Sequence, residues 1–238
     1  MNTLLLLSLS ALAADTPVTF NFEATLAGQP WTCDVKTADV SPTDIRFFVS
    51  EVEVHDAEGN SAPVAITADK TWQNDTVALI DLAPGCTETS PETHTALTGT
   101  APAGEWTRMS FTLGVPFELN HKNPATAKPP LSTTSMHWSW RGGYKFLRLD
   151  AEGSGFHIGS TGCEGPMAKI KHCAKPNRAR VTLDAAPGAT IQLALDRIVP
   201  QGRCMSMKDE LCTGVMAPLG VQFSDGAAAE THPAWTVR

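Results

Sequence analysis

The chain has 238 residues, enough for one large β domain, and at 42% hydrophobic and 18% charged residues it can bury a substantial core. Its net charge of −7, with Lys and Arg scattered along the chain, leaves neither the basic footprint of a nucleic-acid binder nor the polybasic patch of a peripheral membrane protein.

The chain opens with the apolar run Leu4-Leu5-Leu6-Leu7-Ser8-Leu9 and the small-x-small site Ala11-Leu12-Ala13. The run is far shorter than the roughly 20 residues of a membrane span, and it has the proportions of an export signal, although no Lys or Arg precedes it. Residues 1–14 are therefore expected to be a signal peptide, 15–225 a single domain and 226–238 a flexible C-terminal tail. The mature protein is expected to be periplasmic or secreted, and no later segment reads as a membrane helix.

Through the mature part the hydrophobic period is two. Val18, Phe20, Phe22 and Ala24 alternate with polar residues. Ile45, Phe47 and Val49 alternate next, after which Val52 and Val54 take the opposite parity. That phase slip at Ser50-Glu51 predicts a β-bulge or strand switch. Residues 77–82 read as a buried strand. Met109, Phe111 and Leu113 alternate, 144–149 is another strand candidate, and Val181 with Leu183 and Ile191 with Leu193 and Leu195 complete the series. Only 196–199 and 207–211 suggest short helices. Most of the 18 Gly and 17 Pro fall between strands, and the Pro-rich stretch 116–134 reads as a long, function-bearing loop. Many short strands separated by turns predict an all-β, antiparallel two-sheet sandwich with long loops and one or two short helices.

Six cysteines behind an export signal, Cys33, Cys86, Cys163, Cys173, Cys204 and Cys212, imply disulfides. Nearness in sequence favours Cys163–Cys173 and Cys204–Cys212, which leaves Cys33–Cys86. None of the spacings is C-x-x-C, which argues against a cysteine metal site. Serine hydrolase, zinc protease, P-loop and covalent haem motifs are all absent.

What remains is a concentration of His, Met and Trp. His121 follows a strand, Met136-His137-Trp138-Ser139-Trp140 comes next, and His157 precedes Gly159-Ser160-Thr161-Gly162-Cys163. Imidazole with thioether is a donor set that suits copper, and zinc also accepts imidazole. For each residue the plain alternative stands beside this. A single loop histidine is commonly a solvated polar residue, and Met or Trp pairs commonly pack a core. His55, His94 and His232 are read in that plain way. His172, Met205 and Met207 stay open.

The segment Phe111-Thr112-Leu113-Gly114-Val115-Pro116-Phe117-Glu118-Leu119-Asn120-His121 resembles the MbnP family of copper-binding proteins. So do Met136-x-Trp138-Ser139-Trp140-x-x-Gly143-Tyr144-Lys145-Phe146, the Gly159 to Cys163 run, Cys173 with Pro176-Asn177-Arg178, and Cys204-Met205-Ser206 with Asp209 and Cys212. These motifs span nearly the whole mature chain. The resemblance implies an exported β-sandwich that binds one copper and serves copper uptake or homeostasis. It implies a di-haem peroxidase partner of the MauG/MbnH type that oxidises a tryptophan to kynurenine, and the context of an outer-membrane copper uptake system. Carried onto this chain, it points to His121 and His157 as first-choice ligands, with His137 and Met136 beside them. Trp138 and Trp140 become the candidates for modification.

The protein is then a binding protein and a substrate of its partner, not itself an enzyme. Two other readings compete. A copper-dependent oxidase or monooxygenase would use an open histidine site, but no general acid or base is recognisable beside the histidines. A metal-free structural sandwich would be indifferent to His→Gln changes.

Overall fold

The computed structural model describes residues 14–37, 41–83, 86, 92–139, 141–152, 154–166, 169–198 and 212–238. The signal-peptide expectation, Trp140, Cys204 with its pairing to Cys212, and the helix expected at 207–211 lie outside the described residues.

Two sheets form the body. The first runs in the order β17 (Trp235–Val237), β16 (Thr190–Ala194), β1 (Asp15–Leu26), β7 (Ala96–Pro102) and β5 (Ala65–Ile66), with β2 (Gln29–Pro30) also on β1. The second runs β12 (Ser154–Ile158), β11 (Leu147–Ala151), β3 (Pro42–His55), β8 (Arg108–Leu113) and β15 (Ala179–Leu183). Two more strands, β4 (Ser61–Pro63) and β6 (Val77–Asp81), pair with β3. The sheets meet through their alternating apolar faces, as a sandwich requires. Phe22 of β1 packs edge-to-face on Phe47 of β3 and Phe111 of β8, at centroid distances of 5.6 and 5.9 Å. Trp235 of β17 closes the cluster, 5.3 Å from both Phe47 and Phe111.

The phase slip in the sequence is a bulge. The register of β3 against β8 shifts between Ser50 and Glu53, and Glu51 takes a positive φ of 51°. The extra residue turns Val52 and Val54 back into the core, where both are buried.

Five expectations need correction. Strands β1 and β16 pair in parallel, so the sandwich is antiparallel everywhere among the described pairs but there. Residues 226–238 are not a free tail. Their end forms β17 on β16, because Trp235 gains a buried place between the sheets and donates its indole N–H to the Leu219 carbonyl at 3.3 Å. The strand expected at 144–149 is broken, since Lys145 bonds back to Met136 while Phe146 bonds across to Ile158. Finally, the loop 116–134 starts with a helical turn, α1 (Phe117–Asn120), directly after Pro116. The helix expected at 196–199 appears as a 3-10 turn, Leu195–Arg197, and the longer helix is α2 (Thr213–Leu219).

Two small hairpins stand beside the sheets: β9 (His137–Ser139) with β10 (Gly143–Tyr144), and β13 (Thr161–Glu164) with β14 (His172–Lys175). Disulfides join Cys163 to Cys173, as expected from their spacing, and Cys33 to Cys86, the pair expected as the remainder. Cys212 is buried and also disulfide-bonded.

Candidate metal centre

The site is assembled where α1 and the two hairpins converge. The short helix ends at Asn120, which is buried, and His121 follows as its C-terminal neighbour, only 7% exposed. Asn120 is the organiser. Its Oδ1 accepts a hydrogen bond from the Tyr144 backbone N–H at 2.8 Å. Its Nδ2 donates to Ser160 Oγ at 3.2 Å and lies 3.3 Å from His121 Nε2. Ser160 in turn donates to the Pro176 carbonyl at 3.1 Å.

This packing leaves no space at Gly143. A Cβ there would lie 2.4 Å from Asn120 Oδ1, and the residue has φ +72°. Glycine meets both demands because it lacks a Cβ and tolerates the left-handed region.

His121 also touches Phe117, with ring centroids 5.5 Å apart, and its Nε2 lies 3.4 Å from Cys173 Sγ. Next to it is a surface cleft of about 290 Å³ lined by Val115, Phe117, Ser160, His172, Cys173 and Arg178, among others.

His137 begins β9 and lies edge-on to Tyr144 at 5.0 Å. Its Nε2 is buried without a hydrogen-bond partner. Burial pushes its pKa below the ordinary value, and the neighbouring His121 pushes in the same direction. His137 is thus a neutral imidazole at pH 7, and one of its nitrogens is both buried and unsatisfied. Tyr144 is fully buried, its phenol is pushed up to about 12 by burial, and it donates to the Leu131 carbonyl at 2.5 Å.

His157 lies in a different environment. On β12 it contacts Asp150 of β11, Nε2 to Oδ1 at 2.6 Å. Asp150 also pairs with Arg148 at 2.5 Å, and Arg148 approaches buried Asp44, which pairs with Arg46 at 2.9 Å. Burial opposes ionisation of Asp150. The hydrogen bonds from His157 and Arg148 and their charges outweigh it and hold the carboxyl down to about 2. At Asp44 burial wins, and its pKa is raised.

Met136 is fully buried in the hydrophobic core. Trp138 is the reverse of the core residue that its spacing suggests. It is 40% exposed, with its ring over Gly159 and Gly142. A Cβ on Gly159 would come within 2.7 Å of that ring.

The structure sets His157 with Asp150, while His137 lies within electrostatic reach of His121. His55, His94 and His232 each make a hydrogen bond within the protein, to Ser110, Leu79 and Thr182. The organising role of Asn120, and the parts of Ser160 and Tyr144, were not evident from the sequence. The Asn120-His121 dipeptide was the available signal, but it does not say which partners the amide takes. His121, Cys163 and Cys173 place one nitrogen and two sulfurs within 4.8 Å of one another. The sulfurs are bonded to each other, so this trio offers no thiolate as it stands.

These features define an all-β sandwich with a histidine-bearing, disulfide-braced corner. The MbnP family model matches residues 15–206, and the chain belongs to the MbnP family. Among solved structures it is similar to "MbnP from Methylosinus trichosporium", with a TM-score of 0.80 and 26% sequence identity, over 94% of this chain and 98% of that one. Comparison with curated proteins gave no match. Among the described residues no helix is long and apolar enough to cross a membrane.

Proposed function

We propose that this is an exported copper-binding protein of copper uptake or homeostasis, holding one copper through His121 and His137. The observation that carries this reading is the buried, unpartnered Nε2 of His137. A buried polar nitrogen without a partner costs about 1–3 kcal/mol, and a metal ion is a ligand that would repay it. The His137 ring is neutral, which is the protonation state copper ligation requires. Copper bound there would supply a Lewis-acidic, redox-active centre, and at His121 it would take the place of the Asn120 amide beside Nε2.

In the same reading Trp138 is the residue oxidised to kynurenine by a di-haem peroxidase. Its ring is exposed where a partner can dock, and it adjoins a ligand in sequence. The conversion opens the indole ring with a net loss of one carbon and gain of one oxygen. It leaves an aryl amine and a ketone, both able to hydrogen-bond near the metal. The protein is then the partner's substrate and a copper carrier, not a catalyst, and it works in the periplasm or outside the cell beside an outer-membrane copper uptake system.

A second ligand set has one observation in its favour. The Trp138 ring lies over Gly159, two residues after His157, so a copper beside a modified Trp138 would draw on His157 through the ring nitrogen that Asp150 does not hold. Met136, buried in the core, is the remaining candidate for either set.

The experiment is metal analysis and peptide mass spectrometry of protein co-produced with a di-haem peroxidase. One copper per chain and the kynurenine mass change on the Trp138 peptide support the reading. Protein that carries the change yet stays metal-free with added copper refutes it. Loss of copper in His137→Gln but not His157→Gln selects the first ligand set, and the opposite pattern selects the second.

A further inference from the structure

The Cys163–Cys173 pair lies beside His121 and a surface cleft. The two cysteines face each other directly in the register of β13 and β14, on a hairpin separate from both sheets. Thr161 pairs with Lys175 and Glu164 with His172 on either side, so the backbone ladder does not depend on the sulfurs. Cys173 lines the surface cleft of about 290 Å³, which gives a small molecule access to its sulfur. Nε2 of His121 sits 3.4 Å from that sulfur, and all three donor atoms lie within 4.8 Å of one another. In the disulfide, the sulfurs are poor donors. As thiolates they are strong ones, and thiolate with imidazole selects soft, closed-shell cations.

We propose that Cys163–Cys173 is a redox gate on a second metal site, and that its reduction creates a nitrogen-and-two-sulfur site for Cu(I) at His121, Cys163 and Cys173. A dithiol reductant enters the cleft and its thiolate attacks Cys173 Sγ. The Cys163–Cys173 bond breaks, and Cys163 leaves as a thiolate. The reductant's second thiolate then displaces Cys173 and closes its own disulfide. Two electrons pass from the dithiol to the cystine, and the cysteine protons leave as the cation binds. The cation replaces the long contact between Asn120 and His121. This site uses the same His121 Nε2 as the copper reading above, so the two are alternatives on one chain, told apart by Cys163 and Cys173 against His137.

The test is Cu(I) titration against a coloured Cu(I) chelator, on protein before and after treatment with dithiothreitol. Thiol alkylation and mass spectrometry count the opened pair, and far-ultraviolet circular dichroism checks the fold. The reduced wild type should hold its Cu(I) at least tenfold more tightly than the oxidised form, with near-ultraviolet copper–thiolate absorption that the oxidised form lacks. This thiolate site should vanish in the double variant Cys163→Ser/Cys173→Ser, weaken at least tenfold in His121→Gln and persist in His137→Gln. Should the double variant misfold, reduced wild type alkylated at this pair serves in its place and should also lack the thiolate site. The proposal is overturned if the pair is shown reduced and no copper–thiolate absorption appears with Cu(I), if the serine variant binds as tightly, or if the pair resists reduction while the fold is intact.

Discussion

His137 and His157 are both half-buried, the first on the β9 hairpin and the second on β12 of the larger sheet. His157 is satisfied by the protein. Its nitrogen meets Asp150 at 2.6 Å, and Asp150 is anchored by Arg148 in a ladder that reaches Asp44 and Arg46. His137 is left wanting, with Nε2 buried and unpaired beside another histidine. An ion-pair ladder of the first kind is how a sheet edge keeps charged groups at tolerable cost. An orphaned imidazole of the second kind adds nothing to the apo fold and makes sense as one half of a binding site.

The sharpest way to break this contrast is to exchange the two histidines' losses. His137→Gln is expected to weaken copper binding at least about 1,000-fold, or about 4 kcal/mol, because a ligand is removed. His157→Gln should leave affinity within about threefold and instead cost stability. Chelator competition with both variants decides it, and equal losses would mean that the contrast misidentifies the site.

The next effect concerns the corner that holds His121. Gly143→Ala forces a methyl group against Asn120 at a positive φ, and should destabilise by about 2–4 kcal/mol. Urea denaturation measures that cost. Copper binding should fall with it, whereas a substitution at Gly59, where a Cβ meets nothing within 4 Å, should leave copper untouched.

The acid limb of stability tests the His157 side. Asp150 has its pKa lowered from 3.8 to about 2 in the fold, so it contributes stability that is present above pH 3.8 and is lost as the pH falls toward 2. With a side chain 25% exposed, screening reduces that contribution to about 1–2 kcal/mol. Asp150→Asn should flatten the decline between those pH values in denaturation curves. His137→Gln should not.

Much of this architecture could be read from the residues, and the omissions share a cause. Strands β1, β3, β6 and β8 follow from period-two patterns that are local. The bulge at Glu51 follows from a parity change that is equally local, and one disulfide pair follows from spacing, with a second as the remainder. What stayed hidden depends on distant partners. The C-terminal strand exists because Trp235 reaches Phe47 and Phe111, more than a hundred residues away in sequence. The break after Tyr144 exists because Met136 and Ile158 compete for adjacent amides. At the site, the motifs named His121, His137, His157 and Trp138 as candidates. They could not say that Asp150 claims one histidine while burial leaves another without a partner, since neither follows from the letters around it.

The smallest expected effect bears most directly on why His137 is there. If its nitrogen is an unsatisfied polar atom in the apo protein, His137→Phe should keep the edge-on contact with Tyr144 while removing the burial penalty. The metal-free variant should then be more stable by about 1 kcal/mol, a rise of roughly 2–4 °C in Tm for a domain of this size. The wild type should recover that deficit only when copper is added, through the linkage of binding to stability, and the variant should gain nothing from copper. A variant less stable than wild type without metal would show that His137 is packed for the fold's sake. A more stable variant that no longer responds to copper would mark His137 as a residue kept for binding at the expense of stability.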